Sequence, residues 1–150
     1  MARGHADETR VLLVDDQESF RGAVRDVIAV SPGFVLVGEA ASGEEAVAAV
    51  ESLSPGLVLM DVRMPGMGGA QATREIVNRY PGVVVMLMSI DEAEALSDTV
   101  QGCGAAAFVR KQDLRSRTLR DLWEMQRGAQ EKGAAANEPG CQSRRGEPLR

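Results

Sequence analysis

The segment VLLVDDQESF, residues 11–20, places four apolar residues directly before two adjacent carboxylates, Asp15 and Asp16. An unbroken apolar run of this length is typical of a strand that is buried on both faces of a sheet. Two like charges about 4 Å apart repel by roughly 4 kcal/mol at an effective dielectric near 20. The end of this strand therefore predicts a group that stabilises the two charges, either a helix N-terminus or a bound cation.

The same pattern recurs along the chain. Further short apolar runs cover residues 35–37, 57–60, 83–88 and 105–109, and the Pro-Gly pairs of SPGF, SPGL and YPGV each precede one of these runs. The intervening segments have apolar residues spaced three and four apart, which predicts amphipathic helices, and Ser42 is the predicted N-cap of the second helix. The helical positions are Phe20, Val24, Val27 and Ile28; Ala46, Val47 and Val50; Ala72, Ile76 and Val77; and Ala95, Leu96 and Val100. Alternating strands and helices predict a parallel α/β sheet with helices on both faces.

Length and composition predict one folded domain. The chain has 150 residues, of which 44% are hydrophobic, enough for a single core. We expect a flexible leader at residues 1–9, a domain at residues 10–126 whose last helix starts near Gln112 or Asp113, and a disordered tail at residues 127–150. The tail prediction rests on its Gly, Ala, Pro and charged residues, which bury little surface.

The charge and the cysteines exclude several classes of function. A net charge of −5 argues against direct binding to nucleic acid or to an anionic membrane. The two cysteines, Cys103 and Cys141, lie outside any CxxC spacing and indicate neither a zinc site nor a disulfide framework. The longest apolar run, residues 83–88, is too short to cross a bilayer. We expect a cytoplasmic protein without a membrane segment.

The strand ends carry the candidate chemistry. In parallel α/β sheets, ligands bind beyond the carboxyl ends of the strands, and Asp61 follows the third strand as Asp15 and Asp16 follow the first. If these strands are neighbours, three carboxylates converge and must either take up protons or bind a cation. Mg²⁺ prefers one or two carboxylates with water and a phosphate oxygen, which leaves one acid, Asp61, free for other chemistry.

Two further polar residues follow the remaining strands. Ser89 ends the fourth strand and Lys111 follows the fifth, so a hydroxyl and an ammonium are expected at the same edge as Asp61. A metal site, a carboxylate nucleophile and two groups that bind negatively charged oxygens are the set that phosphoryl transfer to an aspartate requires.

The ordered series VDD, DVRMPGMGG, MS and FVRK, each at a strand end, resembles the receiver domain of two-component response regulators over about residues 10–126. The resemblance implies a flavodoxin-like (βα)5 fold, a doubly wound parallel sheet with strand order 2-1-3-4-5. It also implies that Asp61 accepts a phosphoryl group, that Asp15, Asp16, Asp61 and the backbone carbonyl of Arg63 hold Mg²⁺, and that Lys111 and Ser89 bind phosphoryl oxygens. Phe108 would change rotamer together with Ser89.

The resemblance also implies partners. The donor would be a histidine kinase or a histidine phosphotransfer protein, and the response a changed affinity for a protein partner through the face around the fourth helix, fifth strand and fifth helix. A phosphorylation-dependent dimer fits the same scheme. The residues after Lys111 are similar to those of NarL/FixJ-type receivers, but residues 127–150 are too few and too polar for a DNA-binding output domain. The expected protein is a stand-alone receiver; a phosphorelay intermediate or a fragment of a longer NarL-type transcriptional regulator is the alternative.

Two departures from the family pattern concern access to the acceptor. Receivers usually have a small residue after the switch hydroxyl, and here it is Ile90. Arg63 and Asp91, each two residues beyond a site residue, have opposite charges, and we expect them to pair across the mouth of the site. The three residues together predict a gate that makes phosphate gain and loss slow.

Three other functions fit the sequence less well than a receiver. A haloacid-dehalogenase-type phosphohydrolase usually carries its nucleophile in a DxD motif on the first strand, and this chain has an adjacent DD there. A flavin carrier needs a phosphate loop that DDQES does not provide. A receiver that no longer accepts phosphate is disfavoured by the complete acid set. We therefore expect a signalling domain that catalyses its own phosphorylation and dephosphorylation, and not an enzyme.

Overall fold

The computed structural model describes residues 8–98 and 100–136. One parallel sheet has the strand order β2-β1-β3-β4-β5, so the predicted doubly wound α/β fold and its strand order are confirmed. The strands are β1 Thr9–Val14, β2 Phe34–Ala40, β3 Leu57–Asp61, β4 Val84–Ser89 and β5 Ala107–Arg110. The helices are α1 Glu18–Ala29, α2 Gly43–Leu53, α3 Gly69–Arg79, α4 Glu92–Ala95 and α5 Ser116–Ala136, with a short 3₁₀ helix at Lys111–Asp113.

Two apolar layers cover the two faces of the sheet. Val11 and Leu13 of β1 lie in the cluster that includes α1 and α5, and Leu12 lies in the cluster that includes α2 and α3. Since successive side chains of a strand point to opposite faces, each residue of β1 from Val11 onward is buried in one layer or the other. This double burial explains why the central strands are continuous apolar runs.

The sheet register places the ends of β1 and β3 side by side. Val14 pairs with Met60 in the parallel ladder between these strands. The following residues, Asp15 and Asp61, therefore leave the sheet at the same edge. The backbone N–H of Asp15 donates to the carbonyl of Ala40 at 3.1 Å, which holds the start of the loop against β2.

The fourth helix is shorter than its apolar spacing predicts. Helix α4 has only four residues, Leu96 is 73% exposed, and Val100 is buried in a turn beyond the helix. The prediction of one amphipathic helix through Val100 is therefore wrong. The Ser97 hydroxyl donates to the Glu94 carbonyl at 3.0 Å, and Gly102 has a φ of 78°. A side chain that binds the local backbone and a left-handed glycine both favour turns over helix.

The last helix also differs from the prediction at its start. Residues 111–113 form the 3₁₀ turn, and α5 begins at Ser116 instead of near Gln112. It continues to Ala136, and three successive alanines favour helix at its end. The domain boundary at residue 126 stays a prediction. The rest of the predicted tail, residues 137–150, and residues 1–7 of the predicted leader lie outside the described residues.

Candidate functional site

Three carboxylates meet at the carboxyl ends of β1 and β3. One oxygen from each of Asp15, Asp16 and Asp61 lies within 4.8 Å of the others. Asp15 and Asp61 are buried, and Asp16 is exposed to solvent. The predicted convergence of these acids is confirmed by the distances between their oxygens, and the exposed acid leaves one side of the cluster open to water.

The Lys111 ammonium lies inside this cluster. Its Nζ is 2.8 Å from Asp15 Oδ2 and 3.3 Å from Asp61 Oδ2, and its side chain is only 10% exposed. Lys111 is the first residue of the 3₁₀ turn that directly follows β5. Lys111 therefore contacts both acids, as its place after the fifth strand predicts.

Burial and charge shift the proton affinity of two of these groups. Burial raises the pKa of Asp61 to about 6 and the Asp15 charge adds to the rise, while Lys111 opposes it. Burial also disfavours the charged form of Lys111, but its contact with Asp15 and the charge of Asp61 outweigh burial and raise its pKa. Further positive charge would therefore stabilise the ionised form of Asp61.

The acid cluster fits a hard divalent cation. Oxygen ligands at about 2.1 Å from Mg²⁺ lie roughly 3 to 4 Å apart, and the three oxygens need only a small adjustment to reach that spacing. Asp15 Oδ2 is buried, and the Lys111 ammonium is its contact within the described part of the chain. An oxygen with unused acceptor capacity in this position suits a metal ligand.

The loop after Asp61 is shaped by two glycines. Gly66 has a φ of 74°, and a Cβ on Gly69 would lie 2.3 Å from the Asp61 carbonyl oxygen. Only glycine allows helix α3 to begin this close to the end of β3. The backbone N–H of Arg63 donates to Asp61 Oδ1 at 3.4 Å, so the tight loop also orients the Asp61 carboxylate.

The predicted switch residues lie on the neighbouring strands. Ser89 is buried at the end of β4, where its hydroxyl donates to the Asp91 carbonyl at 2.9 Å. Phe108 is half-buried on β5, and both residues line a groove of about 500 Å³ between β5, α4 and α5. The groove places the two residues at one surface, next to the exposed Leu96.

The mouth of the site differs from the prediction. Asp61 and Lys111 open into a cleft of about 410 Å³ that Arg63, Ile90 and Glu94 also line. Arg63 Nη2 contacts Glu94 Oε2 at 2.6 Å, so the predicted pairing of Arg63 with Asp91 is wrong. The Asp91 side chain instead caps α4 by accepting from the Glu94 N–H at 3.2 Å.

Three contributing residues were missed by sequence reasoning. The Phe20 ring lies under Lys111, with the ring centroid 4.4 Å from Nζ, and Arg21 Nη1 donates to the Asp15 carbonyl at 2.6 Å. The spacing of apolar residues predicts only a core position for Phe20, and Arg21 belongs to no apolar pattern or motif. Glu94 lies three residues after Asp91, a spacing that is typical of a helix cap. This spacing gives no indication that Glu94 contacts Arg63.

The fold and this site define a doubly wound α/β domain with buried acids and a lysine at the carboxyl-terminal edge of its parallel sheet. The profile of the response regulator receiver domain family matches residues 11–122. GacA of Pseudomonas protegens is 37% identical over 102 residues, and DegU of Brevibacillus brevis is 35% identical over 106 residues. These matches cover 68% and 71% of this chain, and 48% and 45% of the relatives, so the chain spans about half the length of the curated relatives it matches.

A solved structure agrees with the family match. The signal receiver domain of the putative response regulator NarL from Mycobacterium tuberculosis aligns with a TM-score of 0.73 and 30% identity, covering 81% of this chain and 98% of that one. This chain belongs to the response regulator receiver domain family. Such receivers are signalling domains that histidine kinases phosphorylate, and they are generally not enzymes. Within the described residues, each helix is too short or too polar to cross a membrane.

Proposed function

We propose that this receiver accepts a phosphoryl group on Asp61 from a histidine kinase or a histidine phosphotransfer protein. The observation that carries the proposal is the position of Lys111, which contacts both Asp61 and Asp15 at the open edge of the sheet. An Asp61 oxygen attacks phosphorus, the phosphorus–nitrogen bond of the donor phosphohistidine breaks, and its electron pair stays on the imidazole, which takes up a proton. The product is an aspartyl phosphate.

Each group around Asp61 has a role in this transfer. Mg²⁺ held by Asp15, Asp16, Asp61 and the Arg63 carbonyl would neutralise the carboxylates and the charge on the phosphoryl oxygens. Lys111 binds one phosphoryl oxygen, and its ion pair with Asp15 keeps it oriented before the donor arrives. Ser89 binds another phosphoryl oxygen after its hydroxyl leaves the Asp91 carbonyl. Since the kinase donor is made from ATP inside the cell, the proposal also places the receiver in the cytoplasm.

The experiment that tests the proposal is phosphorylation by acetyl phosphate in Mg²⁺, followed by intact-mass measurement. The wild type should gain about 80 Da for each phosphoryl group. Asp61→Ala should gain nothing under the same conditions, and equal labelling of this variant would contradict the proposal. Asp26→Ala is the matched control, because Asp26 is an exposed acid on α1 outside the cluster.

The output face follows from the position of Ser89. Movement of its hydroxyl toward the phosphoryl group opens space for Phe108 to turn inward, and both residues line the groove between β5, α4 and α5. The equilibrium shifts only as far as the two states differ in their affinity for the phosphoryl group. We propose this face as the contact for a downstream protein or a phosphorylation-dependent dimer. Beryllofluoride, a phosphoryl mimic, should change amide hydrogen exchange at residues 90–112, and unchanged exchange there would reject the switch.

Phe20 should contribute to the same transfer through Lys111. A cation over an aromatic face contributes about 0.5 to 1.4 kcal/mol in partly buried sites, and Phe20→Leu should therefore lower the phosphorylation rate about two- to tenfold. Phe20→Tyr keeps the aromatic face and should retain most of the rate. The measurement is the rate of labelling by acetyl phosphate. Leucine and tyrosine variants with equal rates would show that only the bulk of the ring matters.

A further inference from the structure

Glu94 is a carboxylate at the acceptor cleft that the proposed phosphoryl transfer does not use. Its side chain is 9% exposed, and its Oε2 lies 2.6 Å from Nη2 of Arg63. Its Oε1 is buried and has no hydrogen-bond partner among the described residues. A buried carboxylate with a single partner depends on that partner, because the loss of Arg63 would leave its charge unpaired.

The local structure fixes Glu94 against the loop that follows the acceptor. Asp91 caps α4 through the Glu94 N–H, and the Asp91 carbonyl accepts from Ser89 at the end of β4. The backbone of Glu94 is thus tied to the strand that carries the switch serine. Its side chain lines the same cleft as Asp61 and Lys111. The only cation it contacts in the described structure is Arg63, which is 76% exposed at the mouth.

The charges around the cleft show what this pairing does. The three acids of the cluster and Glu94 face two cations, Lys111 and Arg63, which leaves a formal charge of −2, and one divalent metal ion would cancel it. Without Glu94, the same metal-bound site would carry one net positive charge, located on Arg63 at the mouth. A positive mouth attracts anionic donors, and this attraction weakens with salt.

We propose that Glu94 sets the phosphodonor specificity of this receiver by neutralising Arg63 in the unphosphorylated protein. This inference rests on the proposed phosphorylation of Asp61. Small acyl phosphates approach the cleft by diffusion alone, so masking Arg63 makes them poor donors. A kinase that docks its phosphohistidine through a protein surface needs no such attraction. Glu94 acts through Arg63 and is a positioning residue, not a catalytic one.

The test compares two small donors of different charge in Mg²⁺, with phosphorylation rates measured at low and high salt. Acetyl phosphate is a dianion near neutral pH, and phosphoramidate is a monoanion. Glu94→Gln keeps the size of the side chain and should raise the acetyl phosphate rate about three- to tenfold at low salt. The gain should be smaller with phosphoramidate and should shrink as salt is added. Glu75→Gln is the matched control, since it removes the same charge from an exposed pair with Arg79 on α3.

Arg63→Ala provides a second, opposite prediction. It removes the cation and leaves the Glu94 carboxylate unpaired, so the acetyl phosphate rate should fall at low salt. A rate that rises in both Glu94→Gln and Arg63→Ala would show that the pair is only a steric obstacle, and would overturn the charge assignment. Ile90 is 61% exposed at the same cleft. If its side chain blocks access to Asp61, Ile90→Ala should raise the phosphorylation rates with both donors equally at every salt concentration.

The outcomes separate this inference from the proposed function. If neither the wild type nor Glu94→Gln gains a phosphoryl group from either donor, the proposed function fails. If the wild type is phosphorylated but Glu94→Gln has the wild-type rate, or a gain that ignores salt and donor charge, only the specificity role of Glu94 fails. Thermal unfolding of each variant verifies that the compared proteins are folded.

Discussion

Asp16→Ala should lower the rate of phosphorylation at least about a hundredfold, the usual loss when a preorganised electrostatic partner of the transferred group is removed. Asp16 contributes the exposed oxygen of the three-carboxylate cluster. Mg²⁺ would lose the ligand that faces the solvent, where the donor arrives. The measurement is the rate of phosphorylation by acetyl phosphate across a range of Mg²⁺ concentrations.

The position of Asp16 makes this variant a clean test. Its side chain lies outside the buried core, so alanine should leave the folding of the domain intact. Asp26→Ala should be phosphorylated like the wild type and should keep its Mg²⁺ dependence. Phosphorylation of Asp16→Ala at the wild-type rate, or phosphorylation of the wild type that persists in a chelator, would contradict a metal site at this acid.

The free energy of unfolding should depend on pH through Asp61. Burial raises the pKa of this carboxyl to about 6 in the folded protein, compared with 3.8 for an unperturbed aspartate, the value used for the unfolded chain. A raised carboxyl pKa means that the folded protein binds the proton more tightly, so the contribution to stability is fully present below about pH 4 and is lost as pH rises through about 6. The loss is at most about 3 kcal/mol at 1.36 kcal/mol for each pKa unit, and water at the open side of the cluster screens the charges and reduces it.

The measurement is urea unfolding between pH 4 and pH 7.5 without divalent metal. Asp61→Asn cannot ionise at this position, so it should lack the decline and should be more stable than the wild type near neutral pH. Added Mg²⁺ should restore stability to the wild type above pH 6, because it binds the ionised cluster. Parallel pH profiles for the two proteins would show that burial and Asp15 do not raise the pKa of Asp61.

The sheet and its acid edge were predictable because they depend on strong local signals. Residues 11–14 and 57–60 are buried on both faces of the sheet. Because both faces are buried, every position in these strands is apolar, and the sequence shows an unbroken apolar run. Parallel strands bring their carboxyl ends to one edge, so Asp15, Asp61 and Lys111 could be brought together from their places in the sequence alone. The described geometry agrees with that prediction.

The mouth of the site was not predictable because it depends on side-chain competition. The prediction paired Arg63 with Asp91 on charge alone, but Asp91 is occupied by the N-cap of α4. Glu94 then takes the guanidinium because the one-turn helix carries it toward the cleft. The early end of that helix depends on the Ser97 hydroxyl and on glycine conformations, weaker signals than apolar spacing.

The residue that carries the phosphoryl group can be identified chemically. Borohydride reduces an aspartyl phosphate to homoserine and leaves free aspartate unchanged, so the modified position can be read from peptide fragments by mass spectrometry. After phosphorylation in Mg²⁺ and reduction, we expect homoserine at position 61 and aspartate at positions 15 and 16. Homoserine at another position, or none in a protein that has gained phosphate, would contradict phosphorylation of Asp61.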